Sequence, residues 1–119
     1  MKQDKEPKKF DIFLVNLQEQ NGSVQKGFRP CMVVQNNYGN YYSPTIIVAG
    51  MTSVLKKLGL PTHVAICKEY GLKKDSMVLT EQLFTISQSD LGNYIGNVSK
   101  ESDRKRIDRA LSNSLGLQT

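Results

Sequence analysis

Residues 29–51, RPCMVVQNNYGNYYSPTIIVAGM, contain two apolar runs separated by nine residues rich in Asn, Tyr and Gly. The runs, residues 29–35 and 45–51, are rich in branched side chains and favour strands, whereas residues 36–44 predict a turn. A third run, FDIFLVNL at residues 10–17, is apolar on both faces and typical of a central strand. Three strands within about forty residues leave no room for helical crossovers, so antiparallel pairing is predicted.

Three further strands are predicted towards the C-terminus, from apolar or alternating runs bounded by turn residues. They cover residues 62–68, 76–86 and 93–98. Residues 18–27 and 56–61 are predicted loops, polar and basic respectively. Residues 1–9 alternate in charge without a periodic apolar face, which predicts a mobile tail before a single domain of residues 10–119.

A single amphipathic helix is predicted at the C-terminus. Ser99 has the side chain of an N-cap, Glu101 lies in the first turn, and Gly116 ends the helix. The apolar face of this helix is formed by Ile107, Ala110, Leu111 and Leu115. The predicted fold is therefore mainly β with a C-terminal α-helix, curved into a small barrel rather than an open parallel sheet.

Length and charge narrow the possible functions. The 119 residues suffice for one domain, and 16 basic against 11 acidic side chains give a net charge of +5. The basic excess lies in residues 1–74, and residues 20–68 contain no Asp or Glu at all. Such a distribution favours a polyanionic partner, although scattered lysines that only keep a small domain soluble would give a similar charge.

The longest uncharged apolar stretch is far shorter than the roughly 18 residues of a membrane helix, and no apolar signal segment follows the basic N-terminus. No membrane association is expected. Cys31 and Cys67 each lie within an apolar run, which predicts buried thiols in a reducing compartment rather than a disulfide. A cytoplasmic location is therefore expected.

Cofactor chemistry has little support in this chain. Its one histidine, His63, and two distant cysteines match no metal-ligand spacing, and no Gly-Lys-Ser/Thr follows the glycines to make a phosphate-binding P-loop. We expect no cofactor and no metal. His63 is interpreted as a strand residue with satisfied hydrogen bonds rather than as a catalyst.

The loop GSVQKGFRP at residues 22–30 is the most informative segment for function. Its two glycines allow the backbone to approach a ligand closely, and Ser23 and Gln25 supply hydrogen bonds. Arg29 lies where the loop re-enters the sheet, and its forked guanidinium suits a phosphate. Taken alone, the loop is equally typical of a hairpin connection with polar groups facing solvent.

Further motifs follow this loop in a fixed order. They are Asn36 to Thr45 (NNYGNYYSPT), Met51-Thr52-Ser53, Leu60 to Val64 (LPTHV), Lys74 to Gln82 (KDSMVLTEQ) and Ala110 to Leu117 (ALSNSLGL). Together they resemble the MazF/PemK family of toxin endoribonucleases, from about Phe10 to Leu117. The resemblance implies an SH3-like barrel of the MazF/PemK/CcdB type that forms a homodimer, cleaves single-stranded RNA such as mRNA at a short sequence without metal, and is inhibited by a cognate antitoxin.

The resemblance also assigns roles to individual residues. Arg29 and Thr52 match the catalytic arginine and threonine of the family. The RNA-binding positions are Ser23, Gln25, Lys26, Asn36, Ser53, Lys56, Glu81 and Gln82. The implied reaction is attack of the substrate 2′-hydroxyl on the adjacent phosphate, with Arg29 and Thr52 stabilising the phosphorane. Water or Glu81 could act as the base, because a guanidinium stays protonated at neutral pH.

Three positions depart from the family pattern: Phe10 replaces Gly, Val24 replaces Glu, and Phe84 replaces Arg. The loss of the loop carboxylate at Val24 bears on which bases are read, since an acceptor there could select a base edge. Two alternatives are a non-catalytic RNA-binding barrel and a gyrase-poisoning toxin of the same fold. Arg29 and Thr52 argue against the first alternative, and the loop motif argues against the second.

Overall fold

The computed structural model describes residues 6–17 and 27–117. These residues form six strands and two α-helices, with short 3₁₀ helices at Lys68–Tyr70 and Gln88–Asp90. In chain order the elements are β1 (Asp11–Leu17), β2 (Gly27–Val33), α1 (Asn37–Tyr42), β3 (Thr45–Thr52), β4 (His63–Ile66), β5 (Ser76–Ser87), β6 (Leu91–Asn97) and α2 (Glu101–Leu115).

The strands form one sheet in the order β4-β5-β3-β2-β1-β6, and every neighbouring pair is antiparallel. The sequence-based prediction of a mainly β fold with antiparallel pairing and a C-terminal helix is confirmed. β1 is an interior strand with β2 and β6 on its two sides, which explains why its side chains are apolar on both faces.

The sheet is curved but is not closed by a β4–β6 ladder. The segment after β4 instead contacts β6 through two glycines, Gly71 and Gly96. A Cβ on Gly96 would collide with the carbonyl of Tyr70, and a Cβ on Gly71 would collide with the carbonyl of Ile95. Gly71 also has φ +106, a conformation that other residues rarely adopt. The two ends of the sheet therefore meet backbone to backbone.

Alternation along the strands divides the core into two clusters. The cluster that includes residues of α2 is formed by Phe10, Ile12, Met32, Ala49, Met51, Val64, Ile66, Val78, Val98, Ile107 and Ala110. The opposite cluster is formed by Phe13, Val15, Leu17, Cys31, Val33, Ile46, Val48, Phe84 and Leu91. Burial of both faces fixes the register of the strands, since a slip of one residue would exchange the two faces.

The helix α2 packs on the sheet through Ile107 and Ala110, and the hydroxyl of Ser114 donates to the carbonyl of Thr80 at 2.8 Å. The predicted stop at Gly116 is confirmed, because this residue has φ +70 and the Leu117 amide bonds to the Ser112 carbonyl at 2.8 Å.

Two details of the helix prediction are wrong. Lys100 rather than Ser99 occupies the N-cap position, with extended backbone and no side-chain cap. Leu115 is exposed rather than part of the packed face. The reason is rotational: at 3.6 residues per turn, Leu115 points about 80° away from Ile107 and about 140° away from Ala110.

Residues 36–44 contain the short helix α1 rather than only a turn. The Asn36 side chain caps this helix by accepting a hydrogen bond from the Gly39 amide at 2.8 Å. The Gln88 side chain then donates to the carbonyls of Asn40 and Ser43, which ties the helix to the end of β5. These long-range bonds stabilise a helix whose Gly and Asn content indicates a turn.

The prediction of two buried thiols is correct for Cys31 and wrong for Cys67, and both cysteines are free. Cys67 is exposed because it precedes the 3₁₀ helix, where its sulfur accepts a hydrogen bond from the Glu69 amide. Neither helix in residues 6–17 and 27–117 is long and apolar enough to cross a membrane.

We predict that Gly96→Ala lowers the free energy of unfolding by about 2–3 kcal/mol, because the new methyl group must displace the Tyr70 backbone. Gly59→Ala is the matched control, since a Cβ there meets no atom within 4 Å. Urea unfolding followed by circular dichroism measures both variants. Equal stability of the two variants would contradict the close contact between β6 and the segment that follows β4.

Candidate active site

Arg29 and Thr52 lie near the end of the β2–β3 ladder. The pairing of β2 with β3 runs from Val33↔Val48 to Cys31↔Gly50. Arg29 and Thr52 each lie two residues beyond this last pair, and both line the same cavity. Pro30, which has no amide hydrogen, lies where this pairing ends. The two predicted catalytic residues therefore flank the point at which the two strands stop pairing.

Thr52 has a hydroxyl group that is oriented yet still able to donate. Its Oγ1 accepts a hydrogen bond from the Val54 amide at 3.1 Å. That bond uses a lone pair and leaves the hydroxyl hydrogen available. An oxygen atom of a ligand placed beside Thr52 could therefore receive a hydrogen bond from a side chain that is already held by the backbone.

Arg29 is exposed and makes no hydrogen bond or ion pair with another described residue. Its charge acts on Cys31: burial raises the pKa of the Cys31 thiol to about 12, and the nearby guanidinium opposes this rise. Within residues 6–17 and 27–117, no carboxylate neutralises the charge of Arg29. Its forked donors are suited to an anion.

A cavity of about 500 Å³ contains both residues. It is lined by Leu14, Phe28, Arg29, Pro30, Met51, Thr52, Ser53, Gly71, Leu72, Lys73, Lys74, Ser76, Asn93 and Ile95. Three of these side chains are cationic and none is acidic, so the cavity favours an anionic ligand. Lys73 and Lys74, like Arg29, have no side-chain partner among the described residues.

Two other cavities are less suited to a polyanion. The larger one, about 630 Å³, lies between β4 and α2 and contains the carboxylates of Glu69, Asp75 and Asp103. The smaller one, about 370 Å³, is basic, but Lys9 is paired with Asp108 at 2.9 Å, and Arg104 donates to the Val98 carbonyl at 2.6 Å. Of these three cavities, the one with Arg29 is the only one in which every lining cation lacks a side-chain partner among the described residues.

The predicted RNA-binding residues do not all meet at this cavity. Ser53 lines it, and Lys56 is exposed in the segment that follows β3. Asn36 lies at the other end of β2, where its side chain caps α1. Ser23, Gln25 and Lys26, and the departure at Val24, lie outside the described residues.

Glu81 and Gln82 lie in a bulge of β5. Ala49 pairs with Leu83 but Gly50 pairs with Leu79, so residues 80–82 have no partner in β3. The Glu81 carboxylate lies 2.9 Å from His63 Nε2, while His63 Nδ1 lies 3.1 Å from the Lys57 carbonyl. The interpretation of His63 as a satisfied strand residue is confirmed. Neither Glu81 nor His63 lines the cavity with Arg29.

Four further residues of this cavity that could contact a ligand were not predicted from the sequence: Phe28, Lys73, Lys74 and Asn93. The Lys73-Lys74 pair in a predicted turn was the one available signal. Asn93 carried no signal, because it belongs to β6 and reaches the site only through the curvature of the sheet. Among the residues that the structure describes, no three His, Cys, Asp or Glu side chains are grouped to hold a metal ion.

Comparison with known proteins relates this arrangement to toxins. Residues 8–115 match the family described as PemK-like, MazF-like toxin of type II toxin-antitoxin system. The chain is 42% identical, over 110 residues, to a protein of Staphylococcus saprophyticus named Endoribonuclease MazF, a match that covers 92% of this chain and 91% of that protein.

Solved structures show the same fold at lower identity. An endoribonuclease from a mycobacterial species, solved in complex with its cognate antitoxin, superposes with a TM-score of 0.79 at 24% identity, covering 95% of this chain and 98% of that one. MazF from Deinococcus radiodurans gives a TM-score of 0.78 at 21% identity, covering 96% and 100%. The resemblance inferred from the ordered motifs is confirmed, and the chain belongs to the PemK-like, MazF-like toxin family of type II toxin–antitoxin systems.

Proposed function

We propose that this protein is a sequence-specific, metal-independent endoribonuclease that cleaves single-stranded RNA, acting as an mRNA interferase toxin. The observation that carries the proposal is that Arg29 and Thr52 line one cavity, whose cations have no side-chain partner among the residues that the structure describes. The 42% identical relative from Staphylococcus saprophyticus is named Endoribonuclease MazF, which supports the same activity.

The proposed reaction uses the 2′-hydroxyl of the substrate as the nucleophile. Its oxygen attacks the adjacent phosphorus, the bond from phosphorus to the 5′-oxygen breaks, and the products are a 2′,3′-cyclic phosphate and a free 5′-hydroxyl. The proton leaves the 2′-hydroxyl to a solvent water, and the departing 5′-oxygen takes up a proton. No bond to the enzyme forms, so the chain need not supply a nucleophile.

The proposed contribution of the protein is charge stabilisation. As the phosphorane forms, the negative charge on its non-bridging oxygens increases, and the forked guanidinium of Arg29 is suited to bind two of these oxygens. The Thr52 hydroxyl is held by Val54 and is positioned to donate to the phosphate. The residues that line the cavity include no carboxylate or imidazole, so water is the favoured proton acceptor over Glu81.

We further propose that the toxin domain, expected to span residues 10–119, forms a symmetric homodimer in the cytoplasm and is inhibited by a cognate antitoxin. The family match over residues 8–115 supports a single domain, and the mycobacterial complex shows that a protein of this fold binds an antitoxin. The two free thiols support a reducing compartment.

Arg29→Ala is predicted to lower the rate of RNA cleavage by about 10³-fold and Thr52→Ala by about 10²-fold, because each removes a group that stabilises the transition state. Arg109→Ala, which removes an exposed cation of α2, is the control and should cleave normally. The measurement is single-turnover cleavage of a labelled RNA by folded protein. Normal cleavage by Arg29→Ala would refute the assignment.

The second prediction concerns the sugar at the cut site. A substrate with one 2′-deoxy nucleotide at that position should bind but remain intact, because the nucleophile is absent while base and phosphate contacts persist. EDTA should have no effect on cleavage of normal RNA, whose products should carry 5′-hydroxyl ends. Mapping the 5′ ends of a long RNA locates the cut site, and cleavage of the deoxy substrate at the normal rate would overturn the mechanism.

A further inference from the structure

The cavity beside Arg29 and Thr52 is larger than a single phosphate group requires, and its apolar and polar lining side chains lie in different parts of it. Five apolar side chains that are buried or half-buried form most of its floor: Leu14, Pro30, Met51, Leu72 and Ile95. Ser76 is a buried polar side chain in the same lining. Polar side chains surround this floor: Arg29, Thr52, Ser53, Lys73, Lys74 and Asn93. A volume of about 500 Å³ with an apolar floor and few polar groups is typical of a site for an organic ligand.

We propose that this cavity is a nucleotide subsite next to the scissile phosphate. The base lies on the apolar floor, Lys73 and Lys74 bind the neighbouring phosphate, and Asn93 contacts the edge of the base. This inference rests on the proposed RNA cleavage and adds a substrate contact to it: a base-selecting site built from the turn before β5 and from β6.

The lysines extend from a turn that the fold holds in place. Gly71 packs against the Ile95 carbonyl, and the Asp75 carboxylate accepts a hydrogen bond from the Lys68 amide at 2.9 Å. The Ser76 hydroxyl donates to the Lys74 carbonyl at 3.0 Å. The backbone of this turn is therefore held by hydrogen bonds, while neither ammonium group has a side-chain partner among the described residues, as a phosphate site requires.

Asn93 and Phe28 supply the groups that recognise a base. Asn93 is exposed on β6 and its amide offers both donors and an acceptor, which match the hydrogen-bonding edge of an unpaired base. Phe28 is 69% exposed beside Arg29, although aromatic side chains are usually buried. An exposed ring at a cationic cavity is suited to stack on a base of single-stranded RNA.

The phosphate contact is tested by the salt dependence of binding. The probe is a fluorescein-labelled single-stranded RNA of randomised sequence with 2′-fluoro sugars, which cannot undergo the cleavage reaction. For single strands the logarithm of the binding constant falls with the logarithm of salt by about 0.7 per phosphate contacted. Lys73→Gln/Lys74→Gln should therefore reduce this slope by about 1.4 if each lysine makes one contact.

The control variant, Lys105→Gln/Arg109→Gln, removes the same charge from exposed positions of α2 and should retain the slope of the unaltered chain. Equal slopes for the two double variants would overturn the phosphate contact. Because binding is measured without cleavage, a specific loss for the Lys73/Lys74 variant supports the subsite even if normal RNA is not cut. Cleavage with equal slopes would retain the proposed function and reject the subsite.

The base contact is tested by mapping cut sites. With normal RNA of randomised sequence, Asn93→Ala should flatten the base preference at one position next to the cut and leave the other positions unchanged. Asn16→Ala, at an exposed position of β1, is the control and should reproduce the original preference. An unchanged preference at every position in the Asn93 variant would overturn the assignment of Asn93.

Discussion

The register of β2 against β3 is the constraint on which the site depends. Cys31 and Gly50 form the last pair of this ladder, and the next residues of each strand line a cavity while they still pair with β1 and β5. Burial of alternate side chains on both faces holds that register, because a slip of one residue would move Val33 and Val48 from one core cluster into the other. The packing of the core therefore sets the geometry of Arg29 and Thr52.

Curvature adds the rest of the site. Gly71 and Gly96 allow the segment after β4 to contact β6 at backbone distance, and this contact brings Lys73, Lys74 and Asn93 to the cavity with Arg29. A sheet without these two glycines could not approach itself so closely, since any side chain there would meet a carbonyl group. The contact at Gly71 and Gly96 thus stabilises the fold and also brings the cationic side chains together.

The basic side chains of this protein differ in whether they bond to a carboxylate or a carbonyl group. Lys9 and Arg106 are paired with Asp108 and Asp103, and Arg104 bonds to the backbone near the end of β6. Arg29, Lys73 and Lys74 have no such partners within the described residues. Unpaired cations at one cavity repel one another, so this arrangement contributes nothing to folding and favours a bound polyanion. Net charge alone does not reveal that difference.

Local sequence patterns were sufficient to predict the strands, the C-terminal helix and the family. Periodicity placed all six strands and α2, and Gly116 marked the helix end, because alternation, apolar faces and left-handed caps are properties of neighbouring residues. The ordered motifs, including Arg29 and Thr52, indicated the toxin family before any geometry was known.

Contacts between residues that are distant in the chain depend on the tertiary structure. Long-range hydrogen bonds from Gln88 stabilise α1, and the bulge of β5 brings Glu81 to His63. Cys67 is exposed, although its local sequence predicts burial. Lys73, Lys74 and Asn93 line the same cavity as Arg29. These features depend on strand order, on the interruption of the β3–β5 ladder and on the curvature of the sheet. Such contacts join residues far apart in the chain, and local patterns of side chains carry no information about them.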